Sequence, residues 1–362
     1  MSNQRFICCI SKIISISLCA LLLIACERVA PVSSSRADSF EKQQLSGHDF
    51  SGANLAEAKF DGAVLVGANF VGANLKGASF KGADLREAYL REANAQGADF
   101  TDANLAGADL TRSHLKQARL DGADLTLARM DSSNLEQASL RRAFMPGASL
   151  IKVQMSDANF ENAFLQSTVL TQSVMKRAIL KGSMLGAIGL AQQGPTPAKM
   201  AGVDLQQADL SGADLTSVNL SESNLDGAKF IQAKLDHANL TWAHARGADF
   251  NQASMSWTRA YGLDLSEARL DGAILMQTQF EGANLTNASF RGAKLVNTNL
   301  NQTQLKGLIT QGLQAHHVLS YGAKNTPPEI APPRLPGRFS KKRKKPCPMN
   351  CLNLTPFPTQ NS

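Results

Sequence analysis

Cysteine is missing from nearly all of this 362-residue chain: Cys8, Cys9, Cys19 and Cys26 lie at one end, Cys347 and Cys351 at the other. No disulfide or thiolate metal site can therefore staple the long stretch between them. Aromatic residues are scarce as well, at 6% against 43% apolar overall. A core of mixed large side chains is thereby excluded, and a thin-walled, repeating architecture is favoured. After Ala25 no apolar run is long enough to span a bilayer. Nor does the body carry charge of one sign. Residues 45–305 hold 23 Lys+Arg against 26 Asp+Glu, a net of −3, whereas 306–362 hold nine against one, a net of +8. The overall +7 thus belongs to the end of the chain, and electrostatic arguments divide in two.

What is present begins with an address. Arg5 and Lys12 precede an apolar run from Ile13 to Ala25, broken by Ser15, Ser17 and Cys19. A charged segment followed by a short apolar one is the pattern of an export signal. It closes on Leu23-Ile24-Ala25-Cys26, which resembles a bacterial lipobox. The resemblance implies cleavage before Cys26, diacylation of its sulfur and acylation of the new amino terminus. The alternatives are an ordinary cleaved signal that contains cysteine, and an uncleaved anchor. Each buried CH₂ would contribute ~0.8 kcal/mol to anchoring. Residues 1–25 are then the signal peptide and 26–44 a lipidated tether. Glu27, where an Asp would favour the inner membrane, hints at an outer-membrane protein, facing periplasm or surface, if the source is Gram-negative.

From Leu45 to Leu305 every fifth residue is large and apolar: 49 of 53 positions are Leu, Phe or Met. The exceptions are Ala95, Pro195, Ala245 and Ala260. Two residues before each lies a second column, in which 35 of 53 positions are Ala. Helices repeat at 3.6 and strands at 2, so neither explains a period of five. Units such as Gly72-Ala73-Asn74-Leu75 and Gly82-Ala83-Asp84-Leu85 resemble the pentapeptide-repeat family. That resemblance implies an all-β fold, a right-handed quadrilateral (four-sided) β-helix solenoid with Leu or Phe at the centre of each face. The phenylalanines support four sides independently. Those at 50, 60, 70, 80, 100, 160, 230, 250, 280 and 290 all fall on multiples of ten. A 20-residue coil places them on two opposite faces, whereas a 15-residue coil would scatter them. Residues 306–323 lose the repeat and are expected to cap the solenoid; 324–362 read as a disordered basic tail.

The repeat is irregular at Gly186–Val203, where Pro195 holds a core position and Pro197 follows; a loop is expected there. Before it, the position usually filled by Asp or Asn turns apolar, at Phe164, Val169, Val174, Ile179 and Met184. Phe144, Phe164 and Met184 are 20 apart and should stack on one face. They form a partner patch, unless the loop folds back over them. Trp242 and Trp257, in outward phases 15 residues apart, are expected on different faces; as a pair they would suit a glycan or protein, and singly they need no explanation.

The six histidines share no ligand spacing, the glycines recur at turn positions, and no nucleophile has a base and an orienting group beside it. Catalysis, cofactors and metals are not expected. In the tail, Lys341, Lys342, Arg343, Lys344 and Lys345 could contact anionic lipid or polysaccharide, and Cys347 and Cys351 could close a disulfide. The leading expectation is an envelope-anchored binding or structural scaffold whose partners are the bacterial membrane, through its lipid, and an envelope protein; nucleic acid is not expected. The family resemblance supplies the alternative, a DNA-mimic modulator of gyrase, and an exported effector is a third reading.

Overall fold

The computed structural model describes residues 38–186 and 196–330. Its backbone repeats one pentapeptide unit throughout. Phe40, for example, opens a turn in which Gln43 N–H donates to the Phe40 carbonyl at 3.2 Å, and the residue between, Lys42, has φ of 56°. A positive φ at the third turn position defines a type II turn and favours glycine. Here 23 glycines and 32 other residues sit at positive φ, so glycine is preferred at these corners without being obligatory.

Twenty residues make one coil. Parallel bridges join Ser39 to Lys59, Gln44 to Val64, Asp49 to Asn69 and Asn54 to Asn74, one on each of four faces, and the pattern repeats up the stack. Among the described residues three segments widen from single bridges into strands, β1 (Ile274–Met276), β2 (Lys294–Val296) and β3 (Gln314–His316), stacked in parallel in that order. From Ser39 to Lys324 this makes about 14 coils, and ~4.8 Å per coil gives a rod of roughly 65 Å.

The repeat consensus follows from satisfying each backbone donor. The central residue's N–H reaches a carbonyl of the next coil (Phe70 to Tyr89, 2.7 Å), and so does the corner residue's (Gly72 to Arg91, 2.9 Å). The residue before the centre reaches the previous coil (Asn69 to His48, 2.9 Å), and the small residue closes the turn (Ala73 to Phe70, 3.0 Å). One donor per unit remains. The Asp or Asn side chain two residues earlier takes it, as Asn69 Oδ1 does from Val71 N–H at 3.1 Å and Asp109 Oδ1 from Thr111 N–H at 3.1 Å. Asp/Asn at this position is therefore a backbone cap.

The central and small columns are buried along the rod. Phenylalanines stack face to face up one column, Phe40–Phe60–Phe80–Phe100, at 4.7, 4.8 and 4.9 Å, and tip edge-on against Phe50 and Phe70 from the opposite side at 5.7–5.9 Å. Serines and threonines in the small column return their hydroxyls to a carbonyl, as Ser173 does to Leu170 at 2.6 Å and Thr278 to Met255 at 2.8 Å. Ala245 and Ala260 in the central column are fully buried, as is Leu263, a leucine in the small column.

Three boundaries differ from expectation. The coil begins before Leu45: Ser39 already bridges Lys59 and Phe40 is buried, because this unit carries the same inward aromatic and turn. The irregular segment is narrower than Gly186–Val203. The chain leaves at Gly186 and has returned by Thr196, whose N–H donates to Ser167 Oγ at 3.0 Å and whose carbonyl accepts from Ser167 N–H at 2.7 Å. Bridges across it join Val169 to Lys199, Val174 to Asp204, Ile179 to Asp209 and Met184 to Asp214, a step of 30 rather than 20. Ten inserted residues preserve both the period of five and the two-face placement of phenylalanine, and the stacking is continuous. Lastly, 306–323 is a further coil rather than a different structure: Ile309, Leu319 and Lys324 pair with Ser289, Asn299 and Gln304. Its inward residues are half-buried, and the chain then turns so that Ile330 is buried among them.

Candidate functional site

Every outward side chain belongs to a vertical column with a 20-residue step, so surface sites are built by stacking. Phe144, Phe164 and Met184 lie in one such column, in the order Asp124–Phe144–Phe164–Met184–Asp214. The two rings are 5.8 Å apart and tilted by 60°. Phe144 is 45% and Met184 40% exposed, with Phe164 half-buried between them. Val169, Val174 and Ile179 occupy the other three faces of the same coil, so the six residues form a girdle with one raised column rather than a single patch. The insertion emerges at the corner between Met184 and Lys199, beside that column. The girdle also gives up its caps: no side chain among the described residues accepts from the N–H of Thr171, Lys176 or Lys181, where Asp or Asn would do so elsewhere.

A second feature is electrostatic. Arg91, Glu92, Asp109, Thr111, Arg112 and Arg129 line an open cleft of about 300 Å³. Asp109 lies between the Arg91 and Arg129 guanidiniums, at 3.9 and 3.8 Å, and Arg112 pairs with Glu92 at 3.5 Å. Asp99 is bracketed in the same way by Lys81 and Arg119. Burial pushes the Asp99 carboxyl up, but the Thr101 hydroxyl and N–H and the two cations more than offset it and hold it below the usual carboxylate range. Hydrogen bonding from the Arg86 guanidinium depresses Asp84, and Arg177 does the same for Asp157. Asp84, Asp99 and Asp157 are thus held in the ionised form by their neighbours.

Among the described residues no group of His, Cys, Asp and Glu has metal-binding geometry, and no helix is long and apolar enough to cross a membrane. The indole pair is placed differently from expectation. Asn239 bridges Arg259 on one face; Trp257 is at the corner that opens that face and Trp242 at the corner that closes it. Corner residues border two faces, so a spacing of 15 leaves the two flanking one surface. Cys26, Lys341, Lys342, Arg343, Lys344, Lys345, Cys347 and Cys351 lie outside the described residues.

A bridged coil with inward columns of Ala and Leu/Phe, and with many of its outward aspartates engaged in capping and ion pairs, defines a β-solenoid scaffold. Models of the family described as Pentapeptide repeats (8 copies) match in overlapping segments from 44–86 to 154–186 and from 198–236 to 264–302. The chain belongs to the pentapeptide-repeat family. Among solved structures it is similar to HetL, a pentapeptide repeat protein involved in heterocyst differentiation regulation in the cyanobacterium Nostoc sp. strain PCC 7120, with 28% identity over 69% of this chain and 90% of that one and a TM-score of 0.32. It is also similar to QnrB1, a plasmid-mediated fluoroquinolone resistance protein (16% identity, 59% and 89% covered, TM-score 0.27), and to a pentapeptide repeat protein of the Arabidopsis thaliana thylakoid lumen (27% identity, 42% and 71% covered, TM-score 0.18). A comparison with curated protein sequences finds no match.

Proposed function

We propose that this chain is a protein-binding scaffold of the bacterial envelope, tethered through a lipid on Cys26 and engaging its partner through the Phe144–Phe164–Met184 column. The observation that carries the docking surface is the girdle, which exchanges capping carboxylates and amides for exposed hydrocarbon. A capping hydrogen bond is worth about 0.5–1.5 kcal/mol net, so the exchange costs stability at Thr171, Lys176 and Lys181, against which the half-buried side chains of the girdle return only part of their surface. An apolar column of this kind gains its free energy only when something covers it. The tether rests on Leu23-Ile24-Ala25-Cys26 in the sequence.

Replacing Phe164 by Glu is expected to abolish capture of the partner from envelope extracts while leaving the melting temperature within a few degrees. Unchanged capture would overturn the docking surface. The tether is tested separately, by palmitate labelling of wild type and Cys26→Ala; label in both, or in neither, would remove it. The alternative is a DNA-mimic modulator of gyrase, to which the similarity with a fluoroquinolone resistance protein draws attention. A DNA mimic needs acidic columns left free to imitate phosphates. Here Asp99 and Asp109 are each held between two cations, which supports the scaffold reading. Inhibition of gyrase supercoiling by the purified chain would reverse that preference.

A further inference from the structure

The chain's two tryptophans border one and the same polar face. We propose that this face is a binding site for an acidic oligosaccharide. Trp242 lies over Gly262 of the next coil, close enough that a Cβ on Gly262 would collide with the indole. Trp257 stacks in near-parallel fashion on His237 of the previous coil, with centroids 6.0 Å apart and planes 9° from parallel. Each indole therefore has one side packed against its own rod, and the two remain 64% and 52% exposed. Exposed plates steadied in this way offer apolar contact at small ordering cost. The C–H face of a pyranose fits such a plate, while its hydroxyl rim needs polar neighbours.

The face between the plates supplies those neighbours: one guanidinium and four amides, of which Asn239, Gln279 and Asn299 each already donate through their amide nitrogen. Its column runs Asn219–Asn239–Arg259–Gln279–Asn299. The amide oxygens are already engaged: Asn239 Oδ1 accepts from the Thr241 N–H and hydroxyl at 3.1 and 2.6 Å. Asn219 Oδ1 accepts from Ser221 N–H and Asn239 Nδ2, both at 3.1 Å. Asn219 Nδ2 and the whole Arg259 guanidinium have no protein acceptor among the described residues. Free N–H groups and an uncompensated cation between two aromatic plates select a ligand rich in acceptors and bearing carboxylates. A uronic-acid oligosaccharide has that chemistry. The three extended residues between the corners span about 10 Å, so a short oligosaccharide lying across the face would touch both indoles. Bases of single-stranded nucleic acid would also stack on tryptophan, but they require a groove of several cations along the backbone, and this column offers one.

This inference is independent of the Phe144–Phe164–Met184 column, and the two fail separately. Because Trp242 and Trp257 are the chain's only tryptophans, its intrinsic emission reports on this face alone. Titration of the full chain with a galacturonic acid trisaccharide is expected to give a saturable change in emission, with maltotriose and oligothymidylate much weaker. Arg259→Gln should weaken binding at least fivefold and Trp257→Ala at least tenfold, in the latter case read from the remaining Trp242. Both substitutions are at exposed positions, and circular dichroism checks their folding. Absence of a saturable change, equal binding by Arg259→Gln, or tighter binding of maltotriose or oligothymidylate would overturn the assignment.

Discussion

Before the insertion, in residues 38–186, nine ion pairs tie outward side chains to one another; after it, in residues 196–330, Arg269–Asp249 is the single pair found among the described residues. Two more cross the seam, Lys176–Asp204 at 3.2 Å and Lys181–Asp209 at 3.4 Å. The exposed indoles, by contrast, both belong to the second stack. The interiors do not differ in this way. Phe60–Phe80 and Phe230–Phe250 stack at 4.8 and 4.6 Å with planes within 3° of parallel. A solenoid whose inward columns are fixed leaves its outward columns free to vary, so specialisation is written on the surface, one column at a time.

The largest test of this equivalence is in the core. Phe70→Ala and Phe250→Ala should each cost about 3–5 kcal/mol, since neighbouring coils held by the backbone ladder cannot collapse around the hole. Urea unfolding that gave very unequal losses would break the idea of a shared interior. Next come the corners. Gly72 and Gly262 both have positive φ, 65° and 62°, so alanine at either should cost about 1 kcal/mol. Only Gly262→Ala should also shift tryptophan emission, because only there does the new methyl displace an indole.

The girdle offers a change in the other direction. Val174→Asn restores an acceptor for Lys176 N–H and should stabilise the protein by about 0.5–1 kcal/mol; a lower melting temperature would show that Val174 contributes packing that the exposed surface does not suggest. The smallest effect is acid. Asp49, Asp84, Asp99 and Asp157 are depressed in the first stack and Asp209 at the start of the second. Depressed carboxylates contribute stability above the unfolded value of about 3.9 and lose it as pH falls through their folded values. Limited proteolysis between pH 5 and pH 2.5 should therefore open the first stack before the second. Since the pairs are largely exposed, the shift should be modest and partly mimicked by high salt.

Much of the fold was legible because a strict period of five admits few solutions. The inward columns, the four sides and the stacking of Phe144 on Phe164 all follow from residue spacing. The ends were harder to read. Phe40 falls on the same period of five, one unit ahead of Leu45, but Asp38 stands where the small residue belongs, and 306–323 keeps the backbone of the coil after losing its consensus side chains. The extent of the insertion is hidden in the sequence because its ten residues are a multiple of five: Pro195 falls numerically on a core position although the coil is in place again at Thr196. For the candidate surfaces, spacing identified which residues face outward but not which corners share a face. That is why a spacing of 15 by itself suggests separate faces for Trp242 and Trp257.

What the sequence determined by itself is the unit: a small residue, a capping Asp or Asn, a large residue and a two-residue turn, each demanded by local volume and by one leftover backbone donor. The tertiary stack decided what stands beside what. Only the 20-residue step, reset to 30 at the insertion, brings Asn239 next to Arg259, sets an indole at each end of that face, and places Lys176 and Lys181 across the seam from their carboxylates. Neighbours along the rod are a whole coil apart in sequence, so surface chemistry depends on register, which no single repeat contains.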